Sequence, residues 1–328
     1  MRREFDLTIA VSSYNRDDKV LETLRRLVES DFGDFERIEL IVVDDGSPRP
    51  VEDVLPRLGP IPEKIDFRLV RQENAGIGAT RNRGFREARA DVVLFLDDDI
   101  LLGRDTLRRI YRAQRDGHGA VIFGSYPFVT HESEALARFA RSLFGYDELT
   151  DEPRFVPVNA ITSGLLCVDK SKLADRERFY RDDLTVPAAE EYEIVYRFHR
   201  ERIPIVHARH IYAVHNHHLE LEWLAGQQYK YGLGTAEAFE KYPEIAEMEN
   251  FSALGRNLSG LARGGLKNVI KRKLASETGR KNLLRVARLL QKALPRGPHD
   301  FVFGLLTSAY YWAGYEAGRK KFSKSRAA

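Results

Sequence analysis

The chain has 328 residues, of which 43% are hydrophobic and 31% are charged, so it is long enough to bury a full hydrophobic core. Glu4 and Asp6 precede the first apolar stretch, and no uncharged apolar run reaches the roughly 20 residues that cross a bilayer. We therefore expect neither a secretory leader nor a membrane-spanning helix. Cys167 is the single cysteine, so no internal disulfide is possible, and the reducing cytoplasm is the expected compartment.

A net charge of +3 conceals a strong asymmetry along the chain. Residues 251–328 carry 17 Lys and Arg against 3 acids, whereas residues 1–250 carry 35 Lys and Arg against 46 acids. The C-terminal part is therefore a basic region. Nucleic acid is not an expected partner for it, because no recognised nucleic-acid-binding motif accompanies the basic residues.

Helical periodicity is clear within this basic region. Leu283, Val286, Leu290 and Leu294 recur at a spacing that places them on one stripe of a helix. The pattern predicts a C-terminal α-helical basic region. Two partners remain open for it: an anionic membrane surface, which would also suit the aromatic residues of 301–315, and the acidic remainder of the chain.

Strand and helix signals alternate along the first two hundred residues. Apolar runs predict strands, and apolar residues at helical spacing between them predict helices. This alternation predicts an α/β fold with a doubly wound, mainly parallel sheet, whose strand ends open on one edge where nucleotides usually bind. The predicted strands are residues 7–11, 38–43, 67–70 and 92–96.

Three adjacent acids, Asp97, Asp98 and Asp99, end the strand predicted at 92–96. Ligands of open α/β sheets bind beyond the carboxyl ends of such strands. Three like charges repel one another unless a cation, water or a ligand hydroxyl compensates them. A solvated acidic turn and a site for Mg²⁺ or Mn²⁺ are both consistent with the triplet alone.

The segment Gly76-Ile77-Gly78 resembles the start of a dinucleotide-binding loop, but the third glycine is replaced by Arg81 and the loop does not follow the first strand. These glycines are therefore interpreted as turn residues.

Five motifs in order carry a resemblance to a known family. They are TIAVSSYNR, IVVDDGS, NAGIGATRN, ADVVLFLDDDI and AEEYEIVYRF, with a histidine beyond the last. In sequence and spacing they resemble the family 2 glycosyltransferases of GT-A fold, a Rossmann-like nucleotide-binding architecture. The resemblance covers about residues 6–218, so we expect a GT-A glycosyltransferase domain over 1–218 and the helical basic region over 219–328.

The resemblance implies roles for residues at the strand ends. Asp99 would coordinate a divalent cation, Mn²⁺ or Mg²⁺, that bridges the donor diphosphate, and Asp97 would accept from the ribose or help to hold the cation. Asp98 would serve in one of these two ways. Asp44 would meet the base, on which Tyr14 would pack. Further nucleotide-sugar contacts are expected from Ser12, Asn15 and Arg81.

An acceptor hydroxyl must lose its proton during attack, which calls for a general base. The resemblance assigns this role to Glu191, the second acid of the pair Glu190 and Glu191, although the family usually has aspartate there. The alternative is a solvated acidic start of a helix. His215 matches a family histidine that can reach the metal, and a hydrogen-bonded structural histidine is the alternative. The acceptor is expected beside Thr162, Ser163 and Gly164.

The predicted function is that of a cytoplasmic, metal-dependent glycosyltransferase that inverts the anomeric carbon. Its expected donor is a UDP-, dTDP- or GDP-sugar and its acceptor a saccharide or lipid-linked saccharide, in surface polysaccharide or glycoconjugate synthesis. Contact of the basic region with membrane would make it peripheral on the inner membrane face. A sugar-phosphate nucleotidyltransferase and a non-catalytic nucleotide-binding module are the alternatives.

Overall fold

Four parallel strands form the first half of a mixed β-sheet in the computed structural model, which describes residues 4–158, 160–247 and 272–323. The strand order in this half is β3-β2-β1-β4. Strands β1 and β2 are mainly apolar and are buried along their whole length, as is typical of central parallel strands. The four predicted strands are confirmed, each one to three residues longer than its apolar run. Their bounds are β1 Leu7–Ser13, β2 Ile38–Asp44, β3 Ile65–Arg71 and β4 Val92–Asp97.

The second half of the sheet mixes directions. Strand β9 runs antiparallel to both β4 and β6, and β10 runs parallel to β6 and antiparallel to β5 at the edge. Two short strands, β7 and β8, also pair with β10. The predicted α/β class is confirmed. The mainly parallel arrangement predicted for the sheet is found in the half formed by β3, β2, β1 and β4, whereas the other half mixes directions. The bounds are β5 Ile100–Leu102, β6 Val121–Ser125, β7 Phe128–His131, β8 Phe155–Pro157, β9 Leu165–Asp169 and β10 Ile205–Leu219.

Helices connect the strands and form the C-terminal region. In α1, Val20, Leu24 and Leu27 are fully buried, because apolar residues at this spacing share the face that packs on the sheet. The described α-helices are α1 Asp17–Val28, α2 Ile77–Glu87, α3 Thr106–Arg115, α4 Glu134–Leu143, α5 Ala189–Arg200, α6 Leu221–Lys241, α7 Glu277–Ala293 and α8 Asp300–Phe322.

The chain divides into two compact units, which we call the sheet unit and the helical unit. The helical unit contains α4, the start of α5 and the C-terminal helices, so it includes two segments that precede residue 219. Among the described residues, every helix is too short or too polar to span a membrane. Of the described residues, the sheet unit comprises 4–129, 148–158, 160–183 and 197–217, and the helical unit 130–147, 184–196, 218–247 and 272–323.

The predicted C-terminal helical region is present, but the expected apolar stripe of α7 is only partly covered. Leu283 and Leu290 are half-buried, whereas Val286 and Leu294 are exposed. Ala287, which borders that stripe on the side away from Val286, is the fully buried residue of α7, and Leu284 and Gln291 on the same side are half-buried. The packed face of α7 is therefore rotated relative to the predicted one.

A buried carboxylate stabilises the sheet unit near the start of β2. Glu39 accepts hydrogen bonds from the Thr8 hydroxyl at 2.7 Å, from the Arg89 backbone N–H at 2.8 Å and Nε at 2.6 Å, and from Arg68 Nη1 at 3.0 Å. Burial acts to raise the pKa of Glu39, but these hydrogen bonds outweigh it and lower the pKa. The ionised form is thus the one that stabilises the folded protein.

Glu39→Gln should lower the free energy of unfolding by about 2 kcal/mol at neutral pH, because a neutral amide makes weaker hydrogen bonds to the partly exposed guanidinium groups of Arg68 and Arg89 than the buried carboxylate does. Since the folded pKa lies below the unfolded value of about 4.3, the difference should persist above that value and shrink as the pH falls through the folded pKa. Urea denaturation from pH 7 to pH 3 measures this. Exposed Glu63→Gln is the control, and a deficit that does not change with pH would contradict the assignment.

Candidate functional site

The carboxyl ends of β1, β2 and β4 lie next to one another in the sheet unit. In the register of the strands, Ser13 is the partner of Asp44, and Ser12 is the partner of Asp97. Asp98 and Asp99 form the tight turn between β4 and β5. The structure therefore brings the predicted strand-end residues to one edge of the sheet.

Arg16 is the cation that joins two of the three aspartates. Its Nη1 donates to Asp98 Oδ1 at 3.1 Å and to Asp99 Oδ2 at 2.6 Å. Asp98 also accepts from the Ser13 hydroxyl at 2.8 Å. Both carboxylates are almost fully buried, so solvent can compensate little of their negative charge. The shared guanidinium of Arg16 compensates it instead.

The two buried carboxyls differ in acidity. Burial raises the pKa of Asp98 to about 7, against the opposing effect of Arg16. Burial also acts to raise the pKa of Asp99, but His215, and after it Arg16 and Lys19, overcome this and lower the pKa to about 2. Asp99 is therefore the carboxylate that stays ionised across the physiological pH range.

Strand β10 brings His215 to the same place. Its Nε2 lies 3.3 Å from Asp99 Oδ2, and the next residue, Asn216, donates its backbone N–H to the Asp99 carbonyl at 2.7 Å. Lys19 on α1 donates to the Asn216 carbonyl. The predicted proximity of His215 to Asp99 is thus present, although the two are about 120 residues apart in the chain.

The donor set at this turn fits a hard divalent cation that shares its ligands with a substrate. In the described parts of the chain, no group of three or more His, Cys, Asp or Glu side chains has the arrangement of a complete metal site. Mg²⁺ characteristically uses one or two carboxylates together with substrate phosphates rather than a full cage of protein ligands. Asp99 is ionised, lies beside His215 and already pairs with the positively charged side chain of Arg16. This environment suits an ion of this kind.

Asp97 lies on the other side of the turn from Asp98. It accepts from Arg81 Nη2 at 2.7 Å, and Arg81 is itself buried, with its guanidinium over the ring of Tyr180. Arg81 therefore orders Asp97. The Asp97 side chain keeps 31% exposure, so unlike Asp98 it remains open to a ligand.

The predicted acceptor loop meets Asp97 directly. The Asp97 backbone N–H donates to the Gly164 carbonyl at 3.1 Å. A Cβ on Gly164 would lie 3.1 Å from both Asp97 Oδ2 and the Tyr126 hydroxyl, so a larger residue would crowd this carboxylate. In the same loop Ser163 is buried, and Thr162 Oγ1 is shielded from solvent and makes no hydrogen bond to a described residue.

Asp44 is largely engaged by its own chain. It accepts from the backbone N–H groups of Ser47 at 2.9 Å and Val51 at 3.2 Å, and from Arg71 Nη1 at 3.0 Å. A carboxylate can accept about four hydrogen bonds, so these three leave about one acceptor position, on a side chain that is only 1% exposed. Asp45 instead holds the loop that follows β3, because its carboxylate accepts hydrogen bonds from the Gln72 side chain and from the backbone N–H groups of Ala75 and Gly76.

Tyr14 and Asn15 follow β1 at this edge. The side chain of Tyr14 is 47% exposed, which leaves an aromatic face for stacking. Asn15 has a φ of 53°, and its backbone N–H donates to the Ser47 hydroxyl at 2.9 Å. The turn is thus held by its backbone, while Ser12 is buried within the strand.

The acidic pair Glu190 and Glu191 stands in the first turn of α5, within the helical unit. Glu190 is buried and Glu191 half-buried. Burial, followed by the charge of Glu191, raises the pKa of Tyr231. Burial also raises the pKa of Tyr192, against the opposing hydrogen bond with Thr235 and with a further contribution from the charge of Glu191. Glu191 therefore lies among tyrosines rather than in open solvent.

A second buried acid holds the segment in front of this pair. Glu237 on α6 is fully buried and accepts from the backbone N–H groups of Thr185 at 2.9 Å and Val186 at 2.7 Å. It also accepts from the Thr185 hydroxyl and from Lys241 Nζ. One turn earlier on α6, a Cβ on Gly234 would lie 2.7 Å from the Pro187 carbonyl oxygen, so α6 and this segment are in direct backbone contact.

Sequence reasoning missed four of these residues. Arg16 stands inside the quoted motif TIAVSSYNR, so its presence beside the aspartates had a signal although no role was given. Ser13 lies in the same motif. Lys19 and Glu237 had no signal, because their partners are brought to them only by the fold.

Comparison with known proteins agrees with this picture. Residues 8–159 match the family model described as "Glycosyl transferase family 2". ExoW of Rhizobium meliloti, a succinoglycan biosynthesis protein, is 32% identical over 150 residues, which are 42% of this chain and 46% of ExoW. The "GalNAc(5)-diNAcBac-PP-undecaprenol beta-1,3-glucosyltransferase" of Campylobacter jejuni is 28% identical over 119 residues, 36% of this chain and 37% of that protein. The matches thus span less than half of these relatives.

A solved structure resembles the whole chain. It is the mannosyltransferase PcManGT from Pyrobaculum calidifontis, in complex with GDP-Man and Mn²⁺. The TM-score is 0.60 at 16% identity, with 96% of this chain and 87% of that chain covered. The likeness shows a shared GT-A fold, which confirms the predicted architecture.

Glu237→Gln should loosen the segment before α5, because an amide replaces a carboxylate that accepts from two backbone N–H groups. Hydrogen exchange should speed up at the Thr185 and Val186 amides by at least about tenfold, equivalent to about 1.4 kcal/mol. The matched control is Glu240→Gln, a half-buried acid on the same helix. Unchanged exchange at both amides in Glu237→Gln would contradict the role given to this carboxylate.

Proposed function

We propose that this chain, whose residues 8–159 form a family 2 glycosyltransferase domain, transfers a sugar from a nucleoside-diphosphate sugar to an acceptor hydroxyl, with inversion of the anomeric carbon. The observation that supports it most strongly is the cluster of Asp97, Asp98 and Asp99 at the ends of the parallel strands, with compensating cations built around it. Such a cluster suits a ligand that combines ribose hydroxyls with a metal-bound diphosphate.

The donor is proposed to bind along the edge formed by β1, β2 and β4. Tyr14 offers an exposed ring to the base. The buried Asp44 would accept a base N–H at its remaining acceptor position once the exposed Arg71 side chain above it moves aside. Asp97, ordered by Arg81, offers an exposed carboxylate to the ribose. The bases of UDP, dTDP and GDP each carry an N–H group that can donate a hydrogen bond to a carboxylate.

A divalent cation, Mn²⁺ or Mg²⁺, fits beside Asp99, Asp97 and His215, which would hold it. When bound, it supplies positive charge to the departing diphosphate. Asp99 suits this role because its low pKa keeps it ionised. The Pyrobaculum protein, described in complex with GDP-Man and Mn²⁺, has the same fold and supports the choice of ligand class.

The chemical step is proposed to be a single displacement. The acceptor oxygen forms a bond to the anomeric carbon while the bond from that carbon to the diphosphate oxygen breaks, and the bonding electron pair leaves with the nucleoside diphosphate. Glu191 takes the acceptor proton, with Glu190 beside it. Attack from the face opposite the leaving group inverts the anomeric carbon.

The acceptor is proposed to be a lipid-linked saccharide, met by the loop of Thr162, Ser163 and Gly164. The name of the Campylobacter relative, which refers to an undecaprenol-linked saccharide, and the basic helical region both support this class. The name of ExoW supports polysaccharide or glycoconjugate synthesis as the setting. We propose that the protein works in the cytoplasm, which the single, buried Cys167 suits, at the inner face of the membrane.

Two variants should separate donor binding from turnover. Asp99→Asn should weaken Mn²⁺-dependent binding of nucleotide sugars by at least about tenfold, because it removes an ionised ligand. Glu191→Gln should leave donor affinity within about twofold and lower kcat by about 10²–10⁴-fold, as expected for loss of a general base. Calorimetry measures the affinity for nucleotide sugars in the presence of Mn²⁺. The rate of product release from a panel of nucleotide sugars measures kcat.

The matched controls are the exposed residues Asp116→Asn and Glu201→Gln, which should behave like the unsubstituted protein. Full turnover by Glu191→Gln would remove Glu191 from the reaction. Pyrophosphate release from a nucleoside triphosphate and a sugar phosphate would assign a nucleotidyltransferase instead. Nucleotide binding with no transfer or hydrolysis of any donor would assign a non-catalytic module.

A further inference from the structure

The corner between α7 and α8 carries the most exposed large apolar side chains of the described chain. Leu289 is 68% exposed, Leu294 57% and Phe301 76%, with Val286 at 47% beside them. We call these four residues the corner patch. Scattered exposed apolar residues are normal on a protein surface, but four within sixteen consecutive positions mark an interaction site.

The corner patch is held in place by a rigid turn. His299 is buried and its Nε2 is 2.7 Å from the Leu294 carbonyl oxygen, while the Gly297 backbone N–H donates to the same carbonyl at 2.8 Å. Helix α4 fixes the turn from outside, since Arg138 donates to the Gly297 carbonyl at 2.9 Å. The exposed leucine and phenylalanine side chains therefore project from a built corner rather than from a loose tail.

Cations flank the corner patch. Arg285, Lys292 and Arg296 are exposed and make no ion pair with any residue in the described part of the chain. By contrast, Arg288 on the same helix pairs with Glu222, and Lys281 pairs with Glu277. The positive charge left over is thus concentrated next to the exposed apolar residues.

The periodicity of α7 puts these two features side by side. Val286 and Leu289 are three residues apart and share a face, and Arg285 and Lys292 are seven apart and share the neighbouring one. Apolar side chains next to unpaired cations are the arrangement of a helix that lies in a membrane interface. Each Lys or Arg near an anionic surface contributes about fivefold to binding.

We propose that the corner patch docks on an anionic lipid bilayer, with the apolar side chains at the headgroup boundary and the three cations against lipid phosphates. A second copy of this chain is a poorer occupant, because it would bring the same cations together. The proposal deepens the proposed function, on which it rests only for the link to a lipid-linked acceptor; docking itself requires no turnover.

The test uses the full chain and vesicles of two compositions, phosphatidylcholine alone and phosphatidylcholine with about one third phosphatidylglycerol. We expect co-sedimentation with the anionic vesicles, little with the neutral ones, and weaker binding as salt rises. Leu289→Ser/Phe301→Ser should weaken binding at least about tenfold. Arg285→Gln/Lys292→Gln should weaken it by about 25-fold, the product of two such cations. Because all four side chains are exposed, the melting temperature should stay unchanged.

Val129→Ser and Arg86→Gln, exposed residues of the sheet unit, are the matched controls and should bind like the unsubstituted chain. Equal binding to both vesicle types, or corner variants that bind as well as the controls, would overturn the proposal. Self-association that Leu289→Ser/Phe301→Ser abolishes, without vesicle binding, would also overturn it and assign the patch to a second copy.

Donor hydrolysis in solution, measured in parallel, separates this proposal from the proposed function. Corner-patch variants that lose vesicle binding but hydrolyse the donor as fast as the unsubstituted chain would support docking as a property independent of catalysis. Vesicle binding by a chain that turns over no nucleotide sugar would leave docking standing and remove the proposed function.

Discussion

Three neighbouring carboxylates at the end of a buried strand are the constraint around which the sheet unit is organised. Like charges in a poorly hydrated place are unstable unless cations or hydrogen-bond donors meet them. Here Arg81 meets Asp97, and Arg16 bridges Asp98 and Asp99. The acidic turn is thereby converted into a site of mixed charge, at which an anionic diphosphate with its cation can bind without facing three uncompensated carboxylates.

The proposed activity assigns different tasks to the two units. In this proposal the sheet unit would supply the groups that bind the nucleotide, the diphosphate and the metal. The helical unit supplies the candidate base Glu191, whose preceding segment is held by the buried carboxylate of Glu237, and it also carries the corner patch. A lipid-linked acceptor would relate these two features of the helical unit to each other. Glu191 would remove the proton of the acceptor hydroxyl, and the corner patch would contact the membrane that holds the acceptor's lipid.

Much of the fold was predictable, because its strongest signals are local. Uninterrupted apolar runs predict the buried strands, and the acids that follow them predict that these side chains share one edge of the sheet. What the sequence did not reveal depends on contacts between distant segments. Arg16 meets Asp98 and Asp99 across more than 80 positions. The antiparallel β9 enters the sheet between β4 and β6, which a local pattern cannot specify. In α7 the period was right, but the packed face depends on neighbours that periodicity does not identify.

Electron paramagnetic resonance of Mn²⁺, titrated with the protein in the presence and absence of a nucleoside diphosphate, tests the account of the acidic turn most directly. The protein offers only part of a coordination shell, so tight Mn²⁺ binding should require the nucleoside diphosphate. Once UDP or GDP is added, the decrease in the free Mn²⁺ signal should correspond to about one ion bound per chain, and without it the decrease should be much smaller. A free Mn²⁺ signal that matches the nucleoside diphosphate alone, whether or not the protein is present, would contradict the account.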